Sequence, residues 1–436
     1  MTIVHVHPEL DQLPKPSASC IPVHLYGGNP DQKGTAALGR RIYDELTRVK
    51  VSLDPTAFDF LSLSLAVTAA DTFVSRDDAA DGWARDIRLV VALTNPTTWR
   101  PVLPLLTRAL NFLSGDVWTL ALLDGGALPP AFRPRVLRQI DPRDCDSACL
   151  FSGGLDSTIG AIDLRGEKRN PILVSHAYTH DASRQEEVLA KLGNGVVRFG
   201  AQASPKGWLG HGNDVQMRTR SFSFFAMGAL MAASLLRPGV PRSTLFVPEN
   251  GLIALNPPLT PRRIGALSTR TTHPYYIDLV QRVLHAVGLP IDLVNPYAQL
   301  TKGEMIVQCR DQKALAAIAN RTVSCGKWKR RGEQCGRCVP CLIRRAAFHA
   351  AGWNDGTQYQ EEGRDLAHFL ATSSDPDDLM AMILASRKID SMDADRWVAL
   401  TGPMPLVAKE RLARVDAVRR GMIEVRAFLR SQLKFR

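Results

Sequence analysis

Hydrophobic and polar positions in this chain fall into short blocks rather than one sustained period. Over residues 1 to 140, strand-like runs at Cys20–Leu25, Phe58–Ala66, Asp86–Leu93 and Val117–Leu122 alternate with helix-like segments at Leu38–Val49 and Val102–Leu113, which predicts an α/β or α+β unit. Pro129, Pro130, Pro134 and Pro142 mark a linker. Beyond it the pattern becomes strand then helix. Ala148–Phe151, Ile172–Ala177, Val196–Phe199 and Thr244–Val247 read as strands, with Glu186–Leu192 and Ser221–Leu236 among the helices. Crossovers of this kind build a parallel sheet that binds ligands at the carboxyl ends of its strands. After Gly352 the segments Leu366–Ala371, Pro376–Ser386 and Val407–Leu433 read as helices, so the expected division is 1–140, 141–350 and 351–436.

Composition adds bounds rather than identity. A chain of 436 residues that is 45% hydrophobic can bury more than one core. Its longest apolar segment, Phe222–Leu236, is interrupted by Ser223 and Ser234 and is too short to span a bilayer, so it reads as a buried helix. With no basic leader and cleavage site, a cytoplasmic location is expected. The net charge of +11 has its basic residues concentrated near the late cysteines and in the tail, where Arg411, Arg414, Arg419, Arg420, Arg426 and Arg430 outnumber Glu410, Asp416 and Glu424. Such a surface suits nucleic-acid phosphates, an acidic protein partner, or plain solvation, and no interleaved aromatics select the first.

Chemistry enters at residues 148–157, Ala-Cys-Leu-Phe-Ser-Gly-Gly-Leu-Asp-Ser, where a strand delivers a small-residue turn to the helix-compatible Thr158–Leu164. Gly153 and Gly154 let the backbone approach an anion, Leu155 belongs to the same loop, the following helix aims N–H groups at the anion, and Ser152 and Ser157 add hydroxyls: a pyrophosphate cradle, hence ATP. Asp156 repels phosphate, so it is expected to hold Mg2+ or orient the loop. The P-loop lysine of kinases and GTPases is missing.

Cys325, Cys335, Cys338 and Cys341 form a second signal. Their spacing suits a closed tetrahedral Zn2+ site, structural rather than catalytic, with Lys327, Lys329, Arg330, Arg331 and Arg337 offsetting the thiolate charge. Cys20, Cys145, Cys149 and Cys309 read as interior thiols.

Together these motifs resemble the PP-loop ATP pyrophosphatases, and within them the 7-cyano-7-deazaguanine synthase (QueC) family: Ser-Gly-Gly-x-Asp-Ser, then Thr301-Lys302-Gly303-Glu304, then the four-cysteine knob. The long chain and the runs Glu249–Gly251 and Ser268–Pro274 are more similar to the QueC-related (QatC) proteins of prokaryotic antiphage operons. The resemblance implies a parallel-sheet adenine-nucleotide α-hydrolase-like core with a zinc knob, flanked by the N-terminal unit and a helical extension. It implies activation of a 7-deazaguanine carboxylate by adenylation, releasing pyrophosphate and then AMP, and transfer to ammonia or to an amine of an operon-encoded protein.

On that reading Lys302 and Asp156 are the catalytic candidates, Lys302 meeting charge on the α-phosphate. Val174 and His176 are expected at the adenine, Arg218 and Arg220 at phosphate or carboxylate, and Glu249, Asn250, Arg270 and Thr271 at the base. The flanking regions and the Pro-, Thr- and Arg-rich stretch before Thr301 exceed what the synthase reaction requires, which favours a macromolecular acceptor. A tRNA-modifying enzyme such as a thiolase and a non-catalytic nucleotide sensor stay open as other readings.

Overall fold

The computed structural model describes residues 1–30, 34–176, 179–208, 217–260, 270–328 and 332–433; Ala177, Ser268, Thr269, Lys329, Arg330 and Arg331 lie outside the described residues. The first unit is a parallel sheet of β1 (Thr2–His7), β2 (Cys20–Gly27), β3 (Ala36–Gly39), β4 (Asp86–Ala92) and β5 (Val117–Leu123), in the order β3-β2-β1-β4-β5. Helices α1 (Arg40–Leu46), α2 (Pro55–Phe73), α3 (Pro96–Trp99) and α4 (Leu103–Ser114) accompany it.

The run Phe58–Ala66, expected as a strand, lies inside helix α2. Its Phe-Asp-Phe-Leu-Ser-Leu-Ser-Leu alternation imitates a period of two, yet Asp54 caps the helix by accepting from Ala57 N at 2.9 Å and Pro55 occupies its first turn. Every residue from Ala57 to Phe73 is buried, so no polar face marks the 3.6-residue period. The hydroxyls of Ser64, Thr68 and Thr72 are satisfied within the helix, donating to the carbonyls of Leu61, Ser64 and Thr68 at 2.7, 2.9 and 2.8 Å.

The second parallel sheet comprises β6 (Ser147–Leu150), β7 (Pro171–His176), β8 (Arg198–Ala201), β9 (Ser243–Phe246) and β10 (Ile291–Val294), in the order β10-β9-β6-β7-β8. Between its strands run α5 (Leu155–Gly166), α6 (Thr179–Lys191), α7 (Arg220–Ala233), α8 (Gly251–Leu255) and α9 (Pro274–Ala286). The chain moves outward from β6 to β7 and β8, then returns to the other side of β6 with β9 and β10. The order therefore reverses between β6 and β9, and the crevice outside their carboxyl ends is where such sheets bind ligands.

The two sheets share one hydrophobic core, in which α2 packs on α7 and the rings of Phe60 and Phe222 meet edge to face at 5.3 Å. Asp71 of α2 accepts from both the amide and the hydroxyl of Thr219, each at 2.7 Å, fixing the entry to α7. Residues 203–206 leave β8 and pair with edge strand β3, through Gly39 N to Ala203 O (2.8 Å) and Lys206 N to Ala37 O (2.8 Å).

Beyond β10 come α10 (Lys302–Gln308), α11 (Gln312–Ile318), α12 (Val339–Ala350), α13 (Glu361–Arg364), α14 (Leu366–Thr372), α15 (Asp377–Lys388), α16 (Ala394–Ala399) and α17 (Ala408–Leu433). A separate apolar core joins Leu252 and Leu255 of α8, Leu342 and Ile343 of α12, and Val418, Met422 and Val425 of α17.

Candidate functional site

Strand β6 ends where Phe151 N donates to Val174 O of β7 at 2.7 Å, and the chain then turns sharply into α5. Gly153 makes that turn at φ +79°, where a Cβ would also lie 2.9 Å from Gln185 Cγ. Gly154 precedes α5, and its missing side chain leaves room for Val323 O, 3.1 Å from the position of a Cβ. Ser152 Oγ accepts from Gly154 N at 3.2 Å and lies 3.1 Å from Ser157 Oγ, which donates to Gly154 O. Both hydroxyls thus face the mouth of α5.

The loop is held from behind. Gln185 of α6 donates to Ser152 O at 3.1 Å, and Arg198 of β8 orients that amide by donating to Gln185 Oε1 at 2.7 Å and to Ser175 Oγ at 3.1 Å. Gln185 and Arg198 carry no motif and went unrecognised in the sequence.

Asp156, in the first turn of α5, is buried and meets groups from two distant segments. Asn250 donates to Asp156 Oδ2 through Nδ2 at 2.6 Å and through its amide at 3.1 Å, while its own Oδ1 caps α8 by accepting from Ile253 N. Lys302 Nζ donates to Asp156 Oδ1. Burial alone would raise the Asp156 carboxyl, but the Lys302 ammonium beside it holds it below the usual carboxylate value. Glu249 goes the other way. Burial first, and then the adjoining Asp156 charge, push its carboxyl well above its ordinary value.

Lys302 owes its place to local structure. Thr301 and Glu304 form a capping box at the start of α10: Glu304 N donates to Thr301 Oγ1 at 3.0 Å and Thr301 N to Glu304 Oε2 at 2.9 Å. The lysine therefore leaves the first position of a fixed helix.

These groups line a cavity of about 620 Å3, within the range of small-molecule sites. Its lining includes Ser152, Gly154, Leu155, Asp156 and Ser157 of the loop, Glu249 and Lys302, and also Val323, Ser324, Lys327, Cys338 to Pro340, and Asp378 of α15. Val323, Ser324 and Asp378 could not be recognised beforehand, because a loop wall and a remote helix carry no spacing signal.

The four cysteines converge as their spacing predicts. Their sulfurs all lie within 4.8 Å of one another and are buried, with Cys335 to Cys341 at 4.0 Å and Cys338 to Cys325 at 3.9 Å. Zn–S bonds of about 2.3 Å place tetrahedral sulfurs about 3.8 Å apart, so the set fits zinc and leaves no ligand position open. Gly336 turns the knuckle at φ +74°, and a Cβ there would press on Gly363 O at 2.8 Å. Of the expected neutralising cations, Lys327 and Arg337 are among the described residues. Arg337 pairs with Glu362 at 2.6 Å and Lys327 lines the cavity, while Arg345 donates to Gly336 O at 3.2 Å.

Several expected site residues are elsewhere. Arg218 donates to Ser114 O at 3.0 Å and lies 3.9 Å from the centre of the Trp83 ring; Arg270 donates to Phe112 O at 2.7 Å and covers that residue's ring. Both arginines stack on aromatic rings of the first unit, a use of guanidinium that sequence alone does not distinguish from phosphate binding. Thr271 lies in the turn before α9, and Arg220 opens α7; neither lines the cavity. The Val174 carbonyl is taken by Phe151, and His176 is buried against Phe224 with ring centroids 6.2 Å apart.

Comparison with known proteins places similarity in the later part of the chain. Residues 272–352 match the family model described as queuosine biosynthesis protein QueC. That stretch holds Lys302 and all four cysteines; the Ser152–Ser157 loop lies outside it. The chain is 46% identical over 65 residues to a 7-cyano-7-deazaguanine synthase of Cupriavidus taiwanensis, covering 15% of this chain and 27% of the relative. It is 35% identical over 91 residues to the synthase of Rhizobium etli (20% and 36%), and 39% identical over 92 residues to that of Saccharophagus degradans (20% and 40%). The matches thus span roughly a quarter to two fifths of these relatives' length. Among the described residues no helix is long and apolar enough to cross a membrane.

Proposed function

We propose that this chain is an ATP pyrophosphatase that adenylates the carboxylate of a 7-deazaguanine and passes the acyl group to an amine. The observation that carries the reading is the meeting of Lys302, from the stretch that matches the QueC model, with Asp156 of the glycine-serine loop. A carboxylate attached to an electron-rich pyrrole ring is a poor electrophile. Its oxygen attacks the α-phosphorus of ATP, the bond to the bridging α–β oxygen breaks, and pyrophosphate departs into the cradle of Ser152, Gly153, Gly154 and Ser157. Lys302 stabilises the charge that builds on the α-phosphate, which is where a fixed cation helps most.

The amine then attacks the acyl carbon and AMP leaves. Ammonia gives the amide, which a second ATP dehydrates to the nitrile; an amine of an operon-encoded partner protein gives a conjugate, as an antiphage role would use. Asp156 and Glu249 both line the cavity and supply hard oxygen donors of the kind a divalent cation binds. Mg2+ held by them would neutralise phosphate charge. Zinc would be structural, fixing the Cys338–Pro340 wall.

Sulfur transfer is disfavoured by the remaining thiols. Burial raises the partly buried Cys20 and pushes Cys145, Cys149 and Cys309 up to about 12, away from the thiolate a sulfur carrier needs.

The test is incubation with ATP, Mg2+ and 7-carboxy-7-deazaguanine, with and without ammonia, followed by mass spectrometry. The adenylated acid and pyrophosphate are expected without ammonia, and AMP with the amide or nitrile when it is supplied. ATP turnover independent of the acid would refute the reading. A co-expressed partner that gains one deazaguanine amide, lost with Asp156→Ala, would identify the acceptor.

A further inference from the structure

One face of α17 touches three of the segments that build the cavity. Ala417, Arg420, Gly421, Glu424 and Phe428 recur at helical spacing. Ala417 and Gly421 lie against Gly251 and Leu252 of α8, next to Asn250; a Cβ on Gly251 would come 3.0 Å from Ala417 Cβ, and one on Gly421 3.2 Å from Leu252 Cβ. Phe428 packs under Arg345 and His349 of α12, the helix that contains Cys341. Between them, Arg420 donates to Glu304 Oε1 at 2.7 Å and to Gln299 O at 2.9 Å.

Glu424 makes the closest approach to the lysine turn. Thr301 Oγ1 donates to Glu424 Oε1, and Gly303 N donates to Glu424 Oε2 at 3.3 Å. These residues flank Lys302 on both sides. Gly303 sits in α10 without positive φ, so its backbone does not require glycine; a Cβ there would lie 2.6 Å from Glu424 Oε1. The missing side chain at 303 is thus the space that the Glu424 carboxyl enters.

Resting on the adenylation reading above, we infer that α17 is part of the reaction site rather than an appendage, and that Glu424 is a positioning residue that aims Lys302 through Thr301 and Gly303. Glu424 itself is not among the residues that line the cavity.

The test uses the full chain with Glu424→Ala, Glu424→Gln and Gly303→Ala. Alanine is the better helix former, so Gly303→Ala should leave α10 folded and displace only the carboxyl. Acid-dependent ATP–pyrophosphate exchange is expected to lose on the order of tenfold in kcat for Glu424→Ala and Gly303→Ala, with KM for the acid within about threefold of the original. Glu424→Gln keeps one acceptor and should recover part of the loss. In parallel, an acyl-phosphate derivative of ATP, which acylates amines beside bound phosphates, is applied without any acid; labelling of Lys302, read by peptide mass spectrometry, should fall in the same two variants.

That labelling remains informative if deazaguanine proves to be the wrong substrate, so failure of the parent reading and failure of this one are distinguishable. Wild-type kcat and wild-type labelling in folded Glu424→Ala would overturn the proposal; if Glu424→Ala does not fold, the same result in Gly303→Ala would do so.

Discussion

Lys302 Nζ bonds to Asp156 Oδ1 across 146 residues of sequence, and the pair is buried at the mouth of α5. A buried ion pair of this kind is weak evidence for stability, since desolvation offsets its attraction, so its value must be sought in what it positions. Replacing Lys302 with Met is expected to lower the rate of AMP formation by about 100- to 1000-fold while the protein stays folded. Asp156→Asn should lose a comparable amount. Because each residue orients the other, the double variant should fall short of the product of the two losses, with a coupling of about 1–3 kcal/mol. Product-release kinetics on the four proteins measure this.

Gly153→Ala should injure the loop twice, through its φ of +79° and through the 2.9 Å approach to Gln185 Cγ. A non-glycine residue in that region costs roughly 1–2 kcal/mol. A lower denaturation midpoint and weaker ATP binding by calorimetry are the expected results.

This loop was legible in the chain because it is local: strand, glycine pair, hydroxyls and helix follow one another within 148–164. The cysteine cluster was legible for the same reason, with three of its four ligands within seven residues of each other, 335–341. What escaped was non-local. Gln185 and Glu424 act through contacts made only after helices pack. Arg218, expected at phosphate or carboxylate, and Arg270, expected at the base, stack instead on Trp83 and Phe112. In the fold, α2 was mistaken for a strand because complete burial erases helical periodicity, while the four-residue β10 is too short to display any period. β1, with His5 and His7 in a six-residue strand, gave no clear run either.

Removal of the metal tests the zinc assignment. One zinc per chain is expected by elemental analysis, and Cys338→Ser should release most of it and lower the melting temperature, because a structural site contributes folding energy outright. Since Cys338, Val339 and Pro340 line the cavity, ATP-dependent activity should fall with zinc content.

His273 predicts an acid transition. Its Nδ1 accepts from Tyr275 N at 3.2 Å, and Nε2 is 2.9 Å from Thr401 Oγ1, whose own hydrogen goes to Val398 O. The ring must therefore be neutral, with its hydrogen on Nε2. Burial, aided by the charges of Arg270 and Arg414, pushes the imidazole down to about 3. The unfolded chain binds this proton near pH 6.5 and the folded one does not, so stability is complete above pH 6.5 and is lost as pH falls towards 3. Between pH 7 and pH 4.5 the loss from this one group is of order 2 kcal/mol. Urea midpoints at the two pH values should converge in His273→Gln relative to the parent protein.

The central claim, that a carboxylate becomes a mixed anhydride with AMP at the Ser152–Ser157 loop, is tested most directly by oxygen-18. With both carboxylate oxygens of 7-carboxy-7-deazaguanine labelled and ammonia supplied, adenylation requires one labelled oxygen to leave in AMP, with the pyrophosphate unlabelled. Label in inorganic phosphate accompanied by ADP, or AMP free of label, would contradict it.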